Sequence, residues 1–356
     1  MKQVDYIVVG AGSAGCVVAS RLSETGASVV LLEAGPADRH PMIHIPAGIR
    51  ALLSNPSVNW NYTSEPEPGT NERALNWPRG RVLGGSSSIN GMLYVRGNPT
   101  DFDTWSQMGC RGWSFDEVLP LFKKSERFDG GSDEFRGRDG ELRVENYRTI
   151  LPVTHRFVEA AQEAGFAFSE DLNGSQPEGV GYSQMTRRGR LRASTAQTFL
   201  KHARGRDNLQ IRPNCVATRL IFDGNKCVGV RFNEAGTPTE LRVSAEVIVS
   251  GGAVNSPHLL HVSGIGPAEH LRNIGVAVVN DLPGVGANLQ DHYVVRIAHR
   301  LRAGEPSINQ LSRPPRVLFE AARWLVRGNG ALTFGVTSAQ VFCRSREGLA
   351  SPDMQL

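Results

Sequence analysis

Apolar and polar positions in this chain follow two periods, and the changes between them outline its architecture. Residues 4–9 form a short β-branched apolar run ending at Gly10, the pattern of a strand buried on both faces. Residues 14–22 carry helical spacing, and residues 28–32 are a second apolar run closed by Glu33. Strand, helix and strand within some thirty residues predict a βαβ unit with parallel strands. Periodicity then disappears over residues 34–79, where prolines at 36, 41, 46, 56, 66, 68 and 78 interrupt the chain. Such a long irregular excursion is expected to cover a site or a partner surface.

Order returns downstream. Ser114 with Glu117 reads as a capping box for a helix through Ser125, kinked at Pro120. Residues 153–164 predict an amphipathic helix closed by Gly165, and residues 194–203 a further helix. The period then becomes two. Residues 208–212, 216–222, 227–232, 240–243 and 246–250 predict five strands, with Asp223-Gly224 as a hairpin turn.

Composition changes this picture at one point. Glycine makes up 39 of 356 residues, about 11% against a usual 7%, without any repeating period. These glycines must serve particular backbone positions. The formal charge of +4 arises from 39 basic and 35 acidic residues, with no run of like charge that would suit nucleic acid. Arginines crowd over residues 187–192, which reads as a solvated loop. No apolar stretch near the start is long enough to span a membrane, and Asp5 sits where a signal peptide would carry positive charge, so the expected location is cytoplasmic, with peripheral membrane association still open. Five cysteines at irregular spacing predict reduced, mostly buried packing residues rather than disulfides or a zinc site. His258 and His261 lie three apart on an expected helix, but no third ligand accompanies them, so no metal is expected.

Two glycine clusters carry the chemistry. Gly10-Ala11-Gly12-Ser13-Ala14-Gly15 has the form Gly-x-Gly-x-x-Gly, between a strand and a helix. Gly10 allows the tight turn, Gly12 lets a pyrophosphate approach the backbone, and Gly15 lets helix and strand pack closely. The helix N-terminus offers unpaired N–H groups to phosphate. Glu33 ends the second strand, where a carboxylate accepts hydrogen bonds from an adenosine ribose and repels a 2′-phosphate. The second cluster, Gly80-Arg81-Val82-Leu83-Gly84-Gly85-Ser86-Ser87-Ser88-Ile89-Asn90-Gly91-Met92, lies outside the βαβ unit, and a nicotinamide enzyme has no evident need of it. A third segment runs from Gly252-Ala253-Val254-Asn255-Ser256-Pro257-His258 to Gly264-Ile265-Gly266, and a fourth from Leu282-Pro283-Gly284 to Gln290-Asp291-His292.

These segments together resemble the signatures of the glucose–methanol–choline family of FAD-dependent oxidoreductases, choline dehydrogenase-like. The resemblance implies an α/β fold: a Rossmann-like FAD-binding domain with mixed β-sheet insertions and an incomplete α+β substrate domain. It places the discontinuous FAD domain at residues 1–150 and 190–300, and the partial substrate domain at 151–189 and 301–356. It implies FAD held by Gly10, Gly12, Ser13, Ala14 and Gly15 at the pyrophosphate and by Glu33 at the ribose. Val82, Gly84, Asn90, Gly91, Met92 and Leu93 would lie along the flavin, and Val216 would meet the adenine. The family oxidises alcohols by hydride transfer to flavin N5, with oxygen or a quinone as electron acceptor. Its base is a histidine in the C-terminal part. The last histidine here is His299, so the resemblance implies that the chain lacks that catalytic part and is inactive as given, and no catalytic residue is assigned. Two alternatives stay open: a non-catalytic FAD-binding or interaction protein from a shortened gene, and a flavoprotein similar to hydroxynitrile lyases.

Overall fold

The computed structural model describes residues 3–356, which divide into two compact units. The first comprises residues 3–40, Ala51–Asn90 and Ser194–Ala298. The second comprises Pro41–Arg50, Gly91–Ala193 and His299–Leu356. This division differs from the one expected from sequence, because residues 91–150 belong to the second unit. The reason lies in their hydrogen bonds: Tyr94 N–H donates to Gln184 O, and Leu142–Asn146 pairs antiparallel with Gln184–Arg188.

The first unit is built on a six-stranded sheet. Its strands are β1 (Gln3–Val9), β2 (Val29–Leu32), β3 (Leu209–Arg212), β4 (Cys215–Asp223), β5 (Lys226–Glu234) and β6 (Thr237–Val249). The spatial order is β3-β2-β1-β6-β5-β4. The first four are mutually parallel, and β6, β5 and β4 form an antiparallel meander. Helix α1 (Ser13–Glu24) is the crossover between β1 and β2; α2 (Phe199–Ala203), α3 (Gly252–Val262) and a short helix over Ala268–Asn273 are further helices of this unit. Ile7, Val30, Leu32, Val230 and Phe232 lie in one core cluster of the sheet, and Val8, Leu31, Cys16 and Leu200 in another. That is why the β1 and β2 sequences read as continuous apolar runs.

Two expectations in this unit are corrected. Residues 240–243 and 246–250 are not separate strands but parts of β6, which serves two neighbours in turn. Its first half pairs with β5 through Arg242, and its second half runs beside β1 from Arg242 to Val249. A bulge in β6, where Ser244 and Ala245 lie opposite Asp5, absorbs the change of register, and the Ser244 hydroxyl donates to Asp5 Oδ1 at 2.8 Å. The helix expected over 194–203 is confined to Phe199–Ala203. Local side-chain bonds compete with the helix there: Ser87 Oγ accepts from Thr195 N–H, and the Thr198 hydroxyl donates to Ser194 O.

The second unit holds a four-stranded and a three-stranded sheet with several helices. Phe115–Ser125 starts at the expected Ser114–Glu117 capping box and contains Pro120; Pro152–Glu163 ends before Gly165, which has φ +96°. The arginine-rich stretch is a further correction. Arg187 and Arg192 face each other across a hairpin and are both buried. Arg187 donates to Asn146 O at 3.1 Å and Arg192 to Ile43 O at 2.8 Å, while Arg188 and Arg190 between them are exposed. Each places one guanidinium donor on a backbone carbonyl, and Arg187 also lies 3.5 Å from Glu145, contacts a charge pattern alone does not disclose. All five cysteines are free; Cys16 and Cys215 are buried, whereas Cys110 is exposed.

Candidate cofactor site

A cavity of about 770 Å³ opens at the carboxyl ends of the parallel strands in the first unit. The register explains its position. Val9 is level with Leu32 and with Val249, so Gly10, Glu33 and Ser250 leave the sheet side by side. From β1 the chain passes to β2 and β3 on one side, while β6 lies on the other. Ligands of open α/β sheets bind at such a reversal of strand order.

Three glycines of the turn after β1 serve separate purposes. Gly10 has φ +95°, and a Cβ there would stand 2.6 Å from Ser250 O. At Gly15 a Cβ would stand 1.9 Å from Gly10 O, so this glycine lets α1 lie against β1. Gly12 differs. Its nearest neighbour to a built Cβ is Gly85 Cα at 4.0 Å, and its φ of −79° suits any residue. No protein atom requires a glycine at position 12. The space its missing side chain leaves belongs to the cavity, and this is the fit expected of a group that must approach the backbone. Gly12 is also the N-cap of α1, with no side chain capping the helix. The first-turn N–H groups therefore present a positive end to whatever enters.

Glu33 lies on the same wall and is 5% exposed. Its Oε2 accepts from Ala11 N–H at 2.9 Å and its Oε1 from Gly35 N–H at 2.8 Å. Burial pushes the carboxyl up to about 7 despite these two bonds and the more distant Arg81. Each oxygen keeps a lone pair for a further donor.

The candidate residues fall into distinct places. Gly10, Gly12, Ser13, Ala14, Glu33 and Val216 line the cavity. Gly15 lies behind it as a packing contact, and Gly84, at φ +89°, donates its N–H to Ala11 O at 2.7 Å. Val82 is in the interior, and Asn90 ends the first unit. Gly91, Met92 and Leu93 belong to the second unit. Met92 there is fully buried with Tyr147 and Met185 and has φ +63°. Such a backbone is costly for a side chain as large as methionine and is held by its surroundings.

The cavity wall also includes Trp60, Tyr62, Arg79, Gly85 and Asn255, none of which was among the candidates. Trp60 and Tyr62 stack with centroids 5.7 Å apart, and the Tyr62 hydroxyl donates to Asn255 Oδ1 at 2.7 Å. Arg79 donates to Asp291 at 3.1 Å and lies over the Trp77 ring. Trp60, Tyr62 and Arg79 had no signal beyond their place in the long irregular excursion, whereas Gly85 and Asn255 lie in the glycine-rich segments. His258 lines the cavity as well, and His261 contacts Val285 O at 3.0 Å. Among the described residues no group of acidic, histidine or cysteine side chains could hold a metal, and no helix is long and apolar enough to cross a membrane.

Comparison with known proteins agrees with this architecture. The profile described as GMC oxidoreductase matches residues 4–294. Mitochondrial choline dehydrogenase of Mus musculus is 42% identical over 361 residues, covering 98% of this chain and 60% of that protein. The oxygen-dependent choline dehydrogenase of Sinorhizobium fredii is 43% identical, covering 99% of this chain and 64% of the relative. The chain thus spans less than two thirds of the length of these relatives. Among solved structures, pyridoxine 4-oxidase from Mesorbium loti superposes with a TM-score of 0.75 at 36% identity, covering 79% of this chain and 56% of that one. A formate oxidase superposes with a TM-score of 0.86 at 27% identity, covering 96% and 62%. Taken with the parallel sheet and the glycine turn at its edge, these matches establish that the chain belongs to the GMC oxidoreductase family.

Proposed function

We propose that this chain holds FAD in the cavity of its first unit and forms the cofactor-binding part of an enzyme that oxidises alcohols. The observation that carries the reading is Gly12: its missing side chain opens onto the cavity beside an uncapped helix N-terminus. In this reading the N–H groups of the α1 first turn hold the pyrophosphate. Glu33 accepts hydrogen bonds from the adenosine ribose, and the wall at Val216 meets the adenine. Gly84 and Asn90 lie along the flavin. When bound, the flavin supplies a hydride acceptor at N5. The residues of the first unit bind and orient the cofactor. A primary alcohol is the substrate class, with oxygen or a quinone as the electron acceptor, in line with the choline dehydrogenases to which the chain is similar.

The experiment is an absorption spectrum of the purified chain before and after incubation with FAD. The expected result is flavin that stays with the protein through gel filtration. A chain that remains colourless after incubation with FAD overturns the assignment of the cavity.

A further inference from the structure

The arginine-rich stretch of the second unit leaves one cation short of acceptors. Arg187 is fully buried on the strand Gln184–Arg188, which pairs antiparallel with Leu142–Asn146. Its Nη2 donates to Asn146 O at 3.1 Å and lies 3.5 Å from Glu145 Oε2. Its Nε and Nη1 make no hydrogen bond among the described residues. Between them these two nitrogens carry about three N–H hydrogens. Buried donors left unmet cost free energy, and protein interiors almost always supply them with an acceptor.

The neighbouring charges do not make up the shortfall. Glu145 Oε1 accepts from Gly189 N–H at 2.8 Å, and Glu145 Oε2 stands 3.1 Å from Arg148 Nη2. Arg143 lies 3.7 Å from Glu145 but has Asp129 as a partner of its own. With that pair set aside, Arg148 and Arg187 share the single charge of Glu145, and neither makes another ion pair among the described residues. One positive charge is in excess. Burial lowers the Arg187 pKa from its ordinary value; Glu145 opposes the shift, and the Arg148 charge adds to it. A singly charged anion restores the balance, whereas a dianion reverses it. The unmet hydrogens call for more than one acceptor atom, and a carboxylate spreads one charge over two oxygens. Asn146 and Arg148 at the edge of the site are exposed, which gives an ion its approach. Tyr147, the next residue, is buried with Met92 and Met185, apolar surroundings in which a charge-assisted hydrogen bond is strong.

We propose that Arg187, with Arg148 across Glu145 from it, forms a binding site for a small monocarboxylate, either a free anion or the acid group of a larger molecule. The proposal uses no residue of the cofactor cavity and stands or falls apart from it. Its test is thermal melting of the 356-residue chain and of Arg187→Met in increasing sodium acetate. Salt screens the surface charges of both chains alike, so the difference between them isolates the site. Arg187→Met leaves Glu145 paired with Arg148. The wild type should gain about 3–6 °C over the variant at about tenfold the dissociation constant, with a saturating dependence on acetate. An equal response of the two chains overturns the proposal and leaves the Arg187 donors to water. Chloride or phosphate that matches acetate overturns the carboxylate class. Glycolate, which joins a carboxylate to a primary alcohol, separates the two sources. A gain larger than that of acetate supports the site as a holder of a substrate's acid group, and an equal gain supports it as a site for the free anion. Should Arg187→Met melt early in every buffer, hydrogen exchange of the wild type carries the same test. Acetate should slow exchange of the Gly189 amide, which donates to Glu145, about tenfold, and unchanged exchange overturns the site.

Discussion

Glu33 in the first unit and Glu126 in the second are both buried, and the two are satisfied in opposite ways. Glu126 in the second unit is fully buried between two guanidinium groups. Arg96 donates to its Oε2 at 2.7 Å, and Arg136 donates to both of its oxygens. Arg136 continues to Asp171 at 2.7 Å and to Gln184 at 2.8 Å, and Asn173 links Gln184 to the Tyr94 carbonyl. Two cations meet two carboxylates, and only Asp171 Oδ2 is left without a donor in the network. Glu33 in the first unit has only two backbone N–H donors and a cavity in front of it. A closed network holds a fold together, whereas a buried carboxylate left short of donors is fitted to receive them from a ligand.

The largest way to break this contrast is Glu126→Ala. It leaves Arg96 and Arg136 buried with too little negative charge, which costs about 3–5 kcal/mol in the second unit. Hydrogen exchange at the Tyr94 and Arg96 amides reads the loss, because these donate to Gln184 O and Asn173 Oδ1 within the network. Unchanged exchange would mean that the ion pairs are ornamental to the fold.

A second experiment separates two glycines of one turn. Gly12→Val should leave the melting of the apo chain nearly unchanged, since its built Cβ meets nothing closer than 4.0 Å. It should weaken FAD binding at least about a hundredfold, because more than one charged hydrogen bond at about 1.5–3 kcal/mol each is lost. Gly15→Val should do the reverse and unfold the strand–helix contact, where the Cβ would stand 1.9 Å from Gly10 O. Equal flavin content in Gly12→Val and wild type would remove the pyrophosphate from this turn.

The place of those glycines and Glu33 beside the cavity was legible in the sequence because it depends on local spacing, a strand followed by a turn and a helix. The closed network was not. Arg96, Glu126, Arg136 and Asp171 are scattered over some seventy-five positions, and nothing in their neighbourhoods distinguishes them from surface charges. Arg187 and Arg192 misled for the same reason, since their partners, the Asn146 and Ile43 carbonyls and, for Arg187, Glu145, are supplied by distant segments. Trp60 and Tyr62 escaped because an aperiodic stretch gives no face to read, although their spacing of two matched a common orientation. The joining of two expected strands into β6 was hidden by Ser244, whose hydroxyl is used at the bulge rather than in a loop.

The smallest expected effect concerns the proton on Glu33. Its carboxyl titrates near 7 in the folded apo chain against an ordinary 4.5, with burial the main cause. Between these values the unfolded chain has released the proton that the folded chain keeps. The contribution of Glu33 to stability is therefore fully present below about 4.5, declines as pH rises toward 7, and is level above it. Ligand binding follows the opposite slope. With Ala11 and Gly35 already donating to the carboxyl, ribose hydroxyls are best received by the ionised form. FAD should then bind about tenfold more tightly at pH 8 than at pH 6 and release a proton on binding near neutrality. Titration calorimetry in two buffers of different ionisation enthalpy measures both quantities. Glu33→Gln keeps the shape but cannot ionise, so its affinity should be weaker and flat across this range. Parallel pH profiles for Glu33→Gln and wild type would show that the carboxyl does not face the ligand, and the contrast with Glu126 would reduce to two manners of packing.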